Sequence, residues 1–128
     1  MKTAVLDAGF LVKRLLAEPD SRRVRAWFNA NVATRFVGPS LLFAESGRVL
    51  QKALAPFPPT RLKALHSRLL AGIPLYAPHE RVWEATEGLT FYDAHYLSLA
   101  EALGATLATT DDRLAAAARK GGVPLARF

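Results

Sequence analysis

The chain has 128 residues, of which 51% are hydrophobic, and this composition excludes an intrinsically disordered protein because a sizeable core can be buried. Its formal net charge is +6, from 17 Lys and Arg against 11 Asp and Glu, which fits a polyanionic partner but equally fits basic side chains that only solvate helix faces. It contains no cysteine, so disulfides, thiol nucleophiles and thiolate metal sites are excluded, and any metal must be held by oxygen or imidazole.

The length predicts a single domain over residues 1–128. No apolar run approaches the roughly 20 residues that cross a bilayer, and the start of the chain is interrupted by charge, unlike a signal peptide. We therefore expect a cytoplasmic protein with no membrane partner.

The first half of the chain alternates short apolar strands with amphipathic helices. A buried strand is predicted over residues 3–6, followed by a helix carrying residues 10–16, a second helix over 20–28 and a second strand over 35–37. Ser40 is predicted to cap a third helix that stops at residues 55–59, because the prolines there cannot continue it. Thr60 is predicted to cap a fourth helix.

The second half continues the alternation. Residues 73–76 are a weak strand candidate, plausible only at a sheet edge because Pro74 lacks a backbone donor, and a short helix over 79–87 follows. A strongly patterned helix over 90–101, a strand over 106–109, an Ala-rich helix over 111–120 and a last strand over 123–126 complete the chain. The alternation predicts an α/β protein with a mostly parallel sheet of four to five strands.

Four acids stand where such a fold would bring them to one rim of the sheet. Asp7 and Asp111 each follow a predicted strand, whereas Asp93 and Glu45 lie on predicted helices. Ligands of open parallel sheets bind beyond the carboxyl ends of the strands. Glu45 lies among apolar residues of its helix, where a carboxylate is costly unless it is paired or binds a metal. We therefore predict that Asp7, Glu45, Asp93 and Asp111 meet around a divalent metal.

A second interpretation is that the aspartates are only helix caps. Asp7 and Asp111 each precede a predicted helix, and Asp93 could close a capping box with Thr90. Glu45 has no such role because it lies mid-helix, so capping does not account for all four acids.

The same segments resemble the PIN-domain family, in particular its small VapC-like toxins. The resemblance runs nearly end to end and is carried by Val5-Leu6-Asp7-Ala8, the run from Pro39 to Glu45, Tyr92-Asp93-Ala94-His95-Tyr96 and the run from Thr109 to Leu114. It implies a three-layer α/β/α fold and a ribonuclease dependent on Mg²⁺ or Mn²⁺. It further implies a homodimer that is neutralised by a small DNA-binding antitoxin.

The chain departs from the family pattern at two positions. Gly9 stands where many members carry Ser or Thr, which removes a hydroxyl that could orient Asp7, and Arg48 stands where Asn is frequent. Asp112 beside Asp111 leaves two candidates for the fourth acid, and the Thr109-Xaa-Asp register favours Asp111.

The four acids predict a metal site formed by Asp7, Glu45, Asp93 and Asp111, and hard oxygen ligands select Mg²⁺ or Mn²⁺ over zinc. The family resemblance implies that the same four residues are catalytic and that the substrate is RNA. His95 is interpreted as structural. It lies two residues after Asp93 on the same predicted helix, and residues at this spacing do not share a face. A phosphoacceptor receiver domain is disfavoured, because Asp7 stands singly and no Lys follows Val123. A non-catalytic PIN scaffold and a housekeeping PIN nuclease without an antitoxin remain the alternatives.

The N-terminal helices carry more apolar side chains than a small chain needs for its own core. We expect part of this surface to be an interface for a second copy or an antitoxin segment, although ordinary core packing would use the same residues. The residues concerned are Phe10, Leu11, Leu15, Leu16, Val24, Trp27 and Phe28.

Overall fold

The computed structural model of the chain describes residues 2–128. Its sheet has four parallel strands in the order β3-β2-β1-β4, namely β1 (Thr3–Leu6), β2 (Arg35–Pro39), β3 (Leu75–Tyr76) and β4 (Thr106–Ala108). Val5 on the central strand β1 lies opposite Val37 on β2 and Leu107 on β4. The predicted parallel α/β sheet is confirmed, but the last strand is reduced to a single bridge between Leu107 and Leu125.

Helices cover both faces of this sheet. In residues 2–128 they are α1 (Ala8–Val12), α2 (Ser21–Ala30), α3 (Leu41–Ala53), α4 (Pro59–Leu70), a 3-10 helix (Glu80–Ala85), α5 (Phe91–Leu103) and α6 (Asp112–Lys120). Ala4, Val5 and Leu6 are all buried although successive strand residues face opposite sides, so neither face of β1 is open to solvent. None of the helices described has the length and apolar character that a bilayer crossing requires.

Two predicted helix caps are wrong. Ser40 precedes α3, but its backbone is already helical (φ −57°, ψ −29°) and its side chain makes no capping hydrogen bond. Helix α4 begins at Pro59, so Thr60 lies inside it, because the fixed φ and missing N–H of proline suit the first turn. Thr90 does cap α5, where its Oγ1 accepts a hydrogen bond from the Asp93 N–H at 3.1 Å.

The expected interface on the N-terminal helices is also wrong. Phe10 is fully buried, and its ring centroid lies 5.3 Å from that of Trp27, 5.5 Å from Phe28 and 5.3 Å from Phe128. Leu11, Leu16 and Val24 are buried as well, and only Leu15 of the set is exposed, at 41%. These side chains fill the chain's own core because the C-terminal Phe128 and strand β2 supply partners that lie far away in sequence.

The Leu42 side chain packs closely over the backbone of Gly38. A Cβ on Gly38, at the end of β2, would lie 2.5 Å from Cδ2 of Leu42 on the first turn of α3. Glycine leaves room for the Leu42 side chain at this place. The first turn of α3 can therefore pack against the end of β2, and Glu45 lies one turn later on the same helix.

Candidate metal centre

The strand order creates a switch point between β1 and β4. From β1 the chain moves outward to β2 and β3 on one side, and it then returns to form β4 on the other side of β1. Asp7 immediately follows β1, and Asp111 follows β4 after two threonines. Both acids therefore stand at the carboxyl ends of adjacent parallel strands, where open α/β sheets bind ligands.

All four predicted acids line one cleft at this switch point. Asp7, Glu45, Asp93 and Asp111 surround a volume of about 430 Å³, together with Ala8, Gly9, Arg48, Val49, Lys52 and Thr110. Helix α3 supplies Glu45, and the first turn of α5 supplies Asp93. The chain thus brings together four carboxylates that are separated by up to 104 positions in the sequence.

Thr109 joins the two strand-end acids. Its Oγ1 donates to Oδ2 of Asp7 at 2.7 Å and accepts from the backbone N–H of Asp111 at 2.9 Å. Thr109 is buried, so this hydroxyl is shielded from competing water. The arrangement fixes the Asp7 carboxylate relative to the loop that carries Asp111.

Tyr96 holds Glu45 in a similar way. The phenol of Tyr96, which is fully buried on α5, donates a hydrogen bond to Oε1 of Glu45 on α3. Burial raises the pKa of Tyr96, and Glu45, Asp7 and Asp93 raise it further, so the phenol keeps its proton and remains a donor. This contact satisfies one oxygen of a carboxylate that lies among apolar neighbours.

The capping interpretation holds for one acid and fails for another. Oδ1 of Asp111 accepts hydrogen bonds from the N–H groups of Arg113 and Leu114 at 2.8 and 3.1 Å, so Asp111 caps α6 while also lining the cleft. Asp7 precedes α1, but its side chain makes no capping hydrogen bond. Asp7 is therefore not explained by helix capping.

Burial and mutual repulsion both raise the pKa of acids in the cleft. Burial raises the pKa of Asp7 to about 6 despite the Thr109 hydrogen bond, and the charges of Asp93, Glu45 and Asp111 add to the increase. Burial also raises the pKa of Asp93, with a further contribution from Asp111 that Arg113 partly offsets. A cation in this cleft would relieve the repulsion.

The donor set fits a hard divalent cation, although no three acidic or histidine side chains in residues 2–128 stand close enough to hold one ion as they lie. Protein donors already engage one oxygen each of Asp7, Glu45 and Asp111. Each of these carboxylates keeps a second oxygen for a ligand. Carboxylate oxygens are the ligands that Mg²⁺ and Mn²⁺ prefer.

Several residues discussed from the sequence lie outside the cleft lining. The buried His95 forms a hydrogen bond between its Nδ1 and the Phe91 carbonyl oxygen at 2.8 Å, which agrees with its structural interpretation. Asp112 is exposed and lines an adjoining cleft rather than this one. At Gly9 an added Cβ would lie 4.0 Å from both Asp7 Oδ2 and Thr110 Oγ1, so the missing hydroxyl is not excluded by space.

Sequence reasoning missed the supporting roles of Thr109 and Tyr96 and the place of Lys52 in the cleft lining. A threonine two residues before a strand-end acid was a usable signal for Thr109. Tyr96 lies three residues after Asp93 on the same helix, but its contact with Glu45 spans 51 positions and has no local signal. Lys52 lies seven residues after Glu45 and therefore on the same side of α3.

Comparison with known proteins agrees with this geometry. Residues 4–120 match the family described as PIN domain. Ribonuclease VapC1 of Mycobacterium tuberculosis is 34% identical over 125 residues, which cover 91% of this chain and 92% of that protein. The structure of FitAcB from Neisseria gonorrhoeae gives a TM-score of 0.72 at 19% identity, over 97% of this chain and 96% of that one. The structure of PAE2754 from Pyrobaculum aerophilum gives a TM-score of 0.67 at 22% identity, over 97% of this chain and 90% of that one.

The similarity to the two solved structures shows the fold. The family match and the 34% identical relative show the family. The three-layer arrangement that the sequence motifs implied is confirmed. The chain belongs to the PIN domain family.

Proposed function

We propose that this protein is a divalent-metal-dependent endoribonuclease whose site residues are Asp7, Glu45, Asp93 and Asp111. The observation that carries the proposal is the convergence of these four carboxylates on one cleft at the sheet's switch point. RNA as substrate is supported by the name of the 34% identical relative, a ribonuclease, and by the net charge of +6.

The four acids would hold the cation, and the cation would act as a Lewis acid. Asp7, Asp93 and Asp111 are the proposed direct ligands, with Glu45 a direct or water-mediated one. A bound Mg²⁺ or Mn²⁺ would activate a water for in-line attack and offset charge on the phosphate. Thr109 and Tyr96 would hold Asp7 and Glu45 in place, so that little side-chain freedom is lost on binding.

We also propose that the protein acts in the cytoplasm as the toxin of a toxin–antitoxin pair and forms a homodimer. The VapC-type relative supports the toxin role. Because the N-terminal aromatic side chains are buried, a dimer surface must come from other residues. Exposed aromatic side chains cluster around the start of α5, where Trp83 is 66%, Tyr92 61% and Phe91 42% exposed. The Trp83 and Phe91 ring centroids lie 4.5 Å apart.

RNA cleavage tests the enzymatic proposal. The purified protein is incubated with single-stranded and structured RNA in Mg²⁺, Mn²⁺ or EDTA, with matched DNA as a second substrate. We expect cleavage in both metals and none in EDTA. Cleavage that EDTA leaves unchanged contradicts the metal mechanism, and RNA binding without cleavage in any metal supports the scaffold alternative.

Light scattering tests the proposed homodimer, and expression in cells tests the proposed toxin role. We expect a dimer mass at tens of micromolar and a smaller mass for Trp83→Ala. We expect growth arrest on expression, relieved by a small DNA-binding partner protein. Harmless expression of an active enzyme would remove the toxin claim and favour a housekeeping nuclease.

A further inference from the structure

Two basic side chains line the acid cleft without pairing with its acids. Glu45, Arg48, Val49 and Lys52 all line the cleft, and their spacing puts them on one side of α3. Arg48 and Lys52 are exposed, four residues apart. The side of α3 that carries Glu45 therefore also presents two exposed positive charges, Arg48 and Lys52.

These charges are free to meet a ligand. The ion pairs found in residues 2–128 are Lys13–Glu18, Arg23–Asp20, Arg81–Glu84 and Lys120–Glu87, none of which involves the cleft. Arg48, three residues after Glu45, could have been its counter-ion, but the Glu45 carboxylate instead accepts a hydrogen bond from Tyr96. Neutralising the acids is therefore not what Arg48 and Lys52 do.

We propose that Arg48 and Lys52 bind the RNA phosphates that flank the scissile one. This inference rests on the proposed ribonuclease function. The acids would hold the cation at the base of the cleft, the scissile phosphate would lie beside that cation, and the neighbouring phosphates would then pass along the side of α3 that carries Arg48 and Lys52. A guanidinium can hold a phosphate through two hydrogen bonds, whereas an ammonium acts as a point charge.

Steady-state cleavage with a salt series tests the proposal, using Arg48→Ala, Lys52→Ala and the double variant. A lost charge-assisted contact weakens binding by roughly tenfold. We therefore expect KM for single-stranded RNA to rise about tenfold for each single variant, with kcat little changed because ground state and transition state lose the contact equally. The slope of log(kcat/KM) against log[salt] should become shallower by about 0.7 for each phosphate contact removed.

Matched variants identify the cause. Arg22→Ala removes the same charge from an exposed position on α2 that lies outside the cleft, and it should change neither KM nor the salt slope. Arg48→Lys should keep the wild-type salt slope because the charge is retained, and Arg48→Asn should behave like Arg48→Ala. Thermal melting of each variant checks that the fold is intact.

The outcomes are distinguishable. If the wild type cleaves RNA but Arg48→Ala and Lys52→Ala keep its KM and salt slope, this inference is wrong and the ribonuclease proposal stands. If Arg48→Ala lowers the Mn²⁺ concentration needed for thermal stabilisation and leaves KM unchanged, Arg48 opposes metal binding and the inference is again wrong. A wild type that neither binds nor cleaves RNA overturns the proposed function and this inference with it.

Discussion

Helix α1 separates two regions of opposite character. Asp7, immediately before it, faces the acid cleft, whereas Phe10, in the helix, is the centre of an aromatic cluster with Trp27, Phe28 and Phe128. In the cluster, apolar rings are removed from water. In the cleft, burial raises the pKa of Asp7 to about 6, and the charges of the neighbouring acids add to the increase.

The difference shows how a small domain can tolerate a site that destabilises it. Burial of large aromatic side chains contributes several kcal/mol to folding. Ionising a carboxyl whose pKa is raised opposes folding. We interpret the aromatic cluster as the part that stabilises this fold, and the acid cleft as the part that is stabilised only when a cation binds.

The largest expected effect comes from removing the centre of the aromatic cluster. Phe10→Ala should lower the free energy of unfolding by about 3–5 kcal/mol, since the cavity cannot collapse between the three remaining rings. Urea unfolding measures the loss, with Leu15→Ala as a control because Leu15 is 41% exposed. Below its melting temperature, the variant should keep its cleavage activity. A loss of activity in the folded variant would contradict the interpretation that the aromatic cluster acts only on stability.

The next effect concerns the charge of Asp7. Its folded pKa of about 6 exceeds the ordinary 3.8, so between these values the folded state binds more protons than the unfolded state. Stability therefore falls as pH rises from about 4 to 7, by at most about 3 kcal/mol for this group. Asp7→Asn should remove this slope and raise the melting temperature at pH 7 in EDTA. An equally steep slope in Asp7→Asn would show that Asp7 is not the group responsible.

Metal binding should reverse the destabilisation. At a Mn²⁺ concentration of 100 times Kd, the folded state gains about 2.7 kcal/mol by mass action. The rise in melting temperature should be larger at pH 7 than at pH 5, because protons compete for Asp7. Thermal melting with Mn²⁺ or EDTA measures the shift, and Asp93→Asn should reduce it. A melting curve unaffected by millimolar Mn²⁺ would contradict a metal site.

The smallest expected effect tests the support of Glu45. Tyr96→Phe removes the phenol that donates to Glu45 and should cost about 1 kcal/mol of stability. Its cleavage rate should fall, but by less than in Glu45→Gln, because the carboxylate is still present. If Tyr96→Phe lost as much activity as Glu45→Gln, the phenol would have a direct role in the reaction.

Local sequence signals predicted the sheet and the four acids, because strand ends and helix faces are set by neighbouring residues. The same signals misplaced the caps at Ser40 and Thr60, because the backbone of Ser40 is already helical and Pro59 begins α4. The burial of Trp27 was left open by the sequence.

The outcome for Trp27 depended on partners distant in the chain. Its ring centroid lies 5.3 Å from that of Phe10 and 5.6 Å from that of Phe36. Likewise, nothing local to Tyr96 indicated that its hydroxyl would reach Glu45 from another helix. Contacts of this kind are set by how the elements assemble, and a periodic pattern within one element carries no information about them.

The adjacent acids Asp111 and Asp112 offer the most direct test of the acid cleft as the catalytic site. Asp111 lines the cleft, whereas Asp112 is exposed outside it, and asparagine caps a helix as well as aspartate does. RNA cleavage in Mg²⁺ and Mn²⁺ is measured for Asp111→Asn and Asp112→Asn. The account predicts that Asp111→Asn loses cleavage while remaining folded and that Asp112→Asn keeps it. Wild-type cleavage by Asp111→Asn, or loss in Asp112→Asn alone, would contradict it.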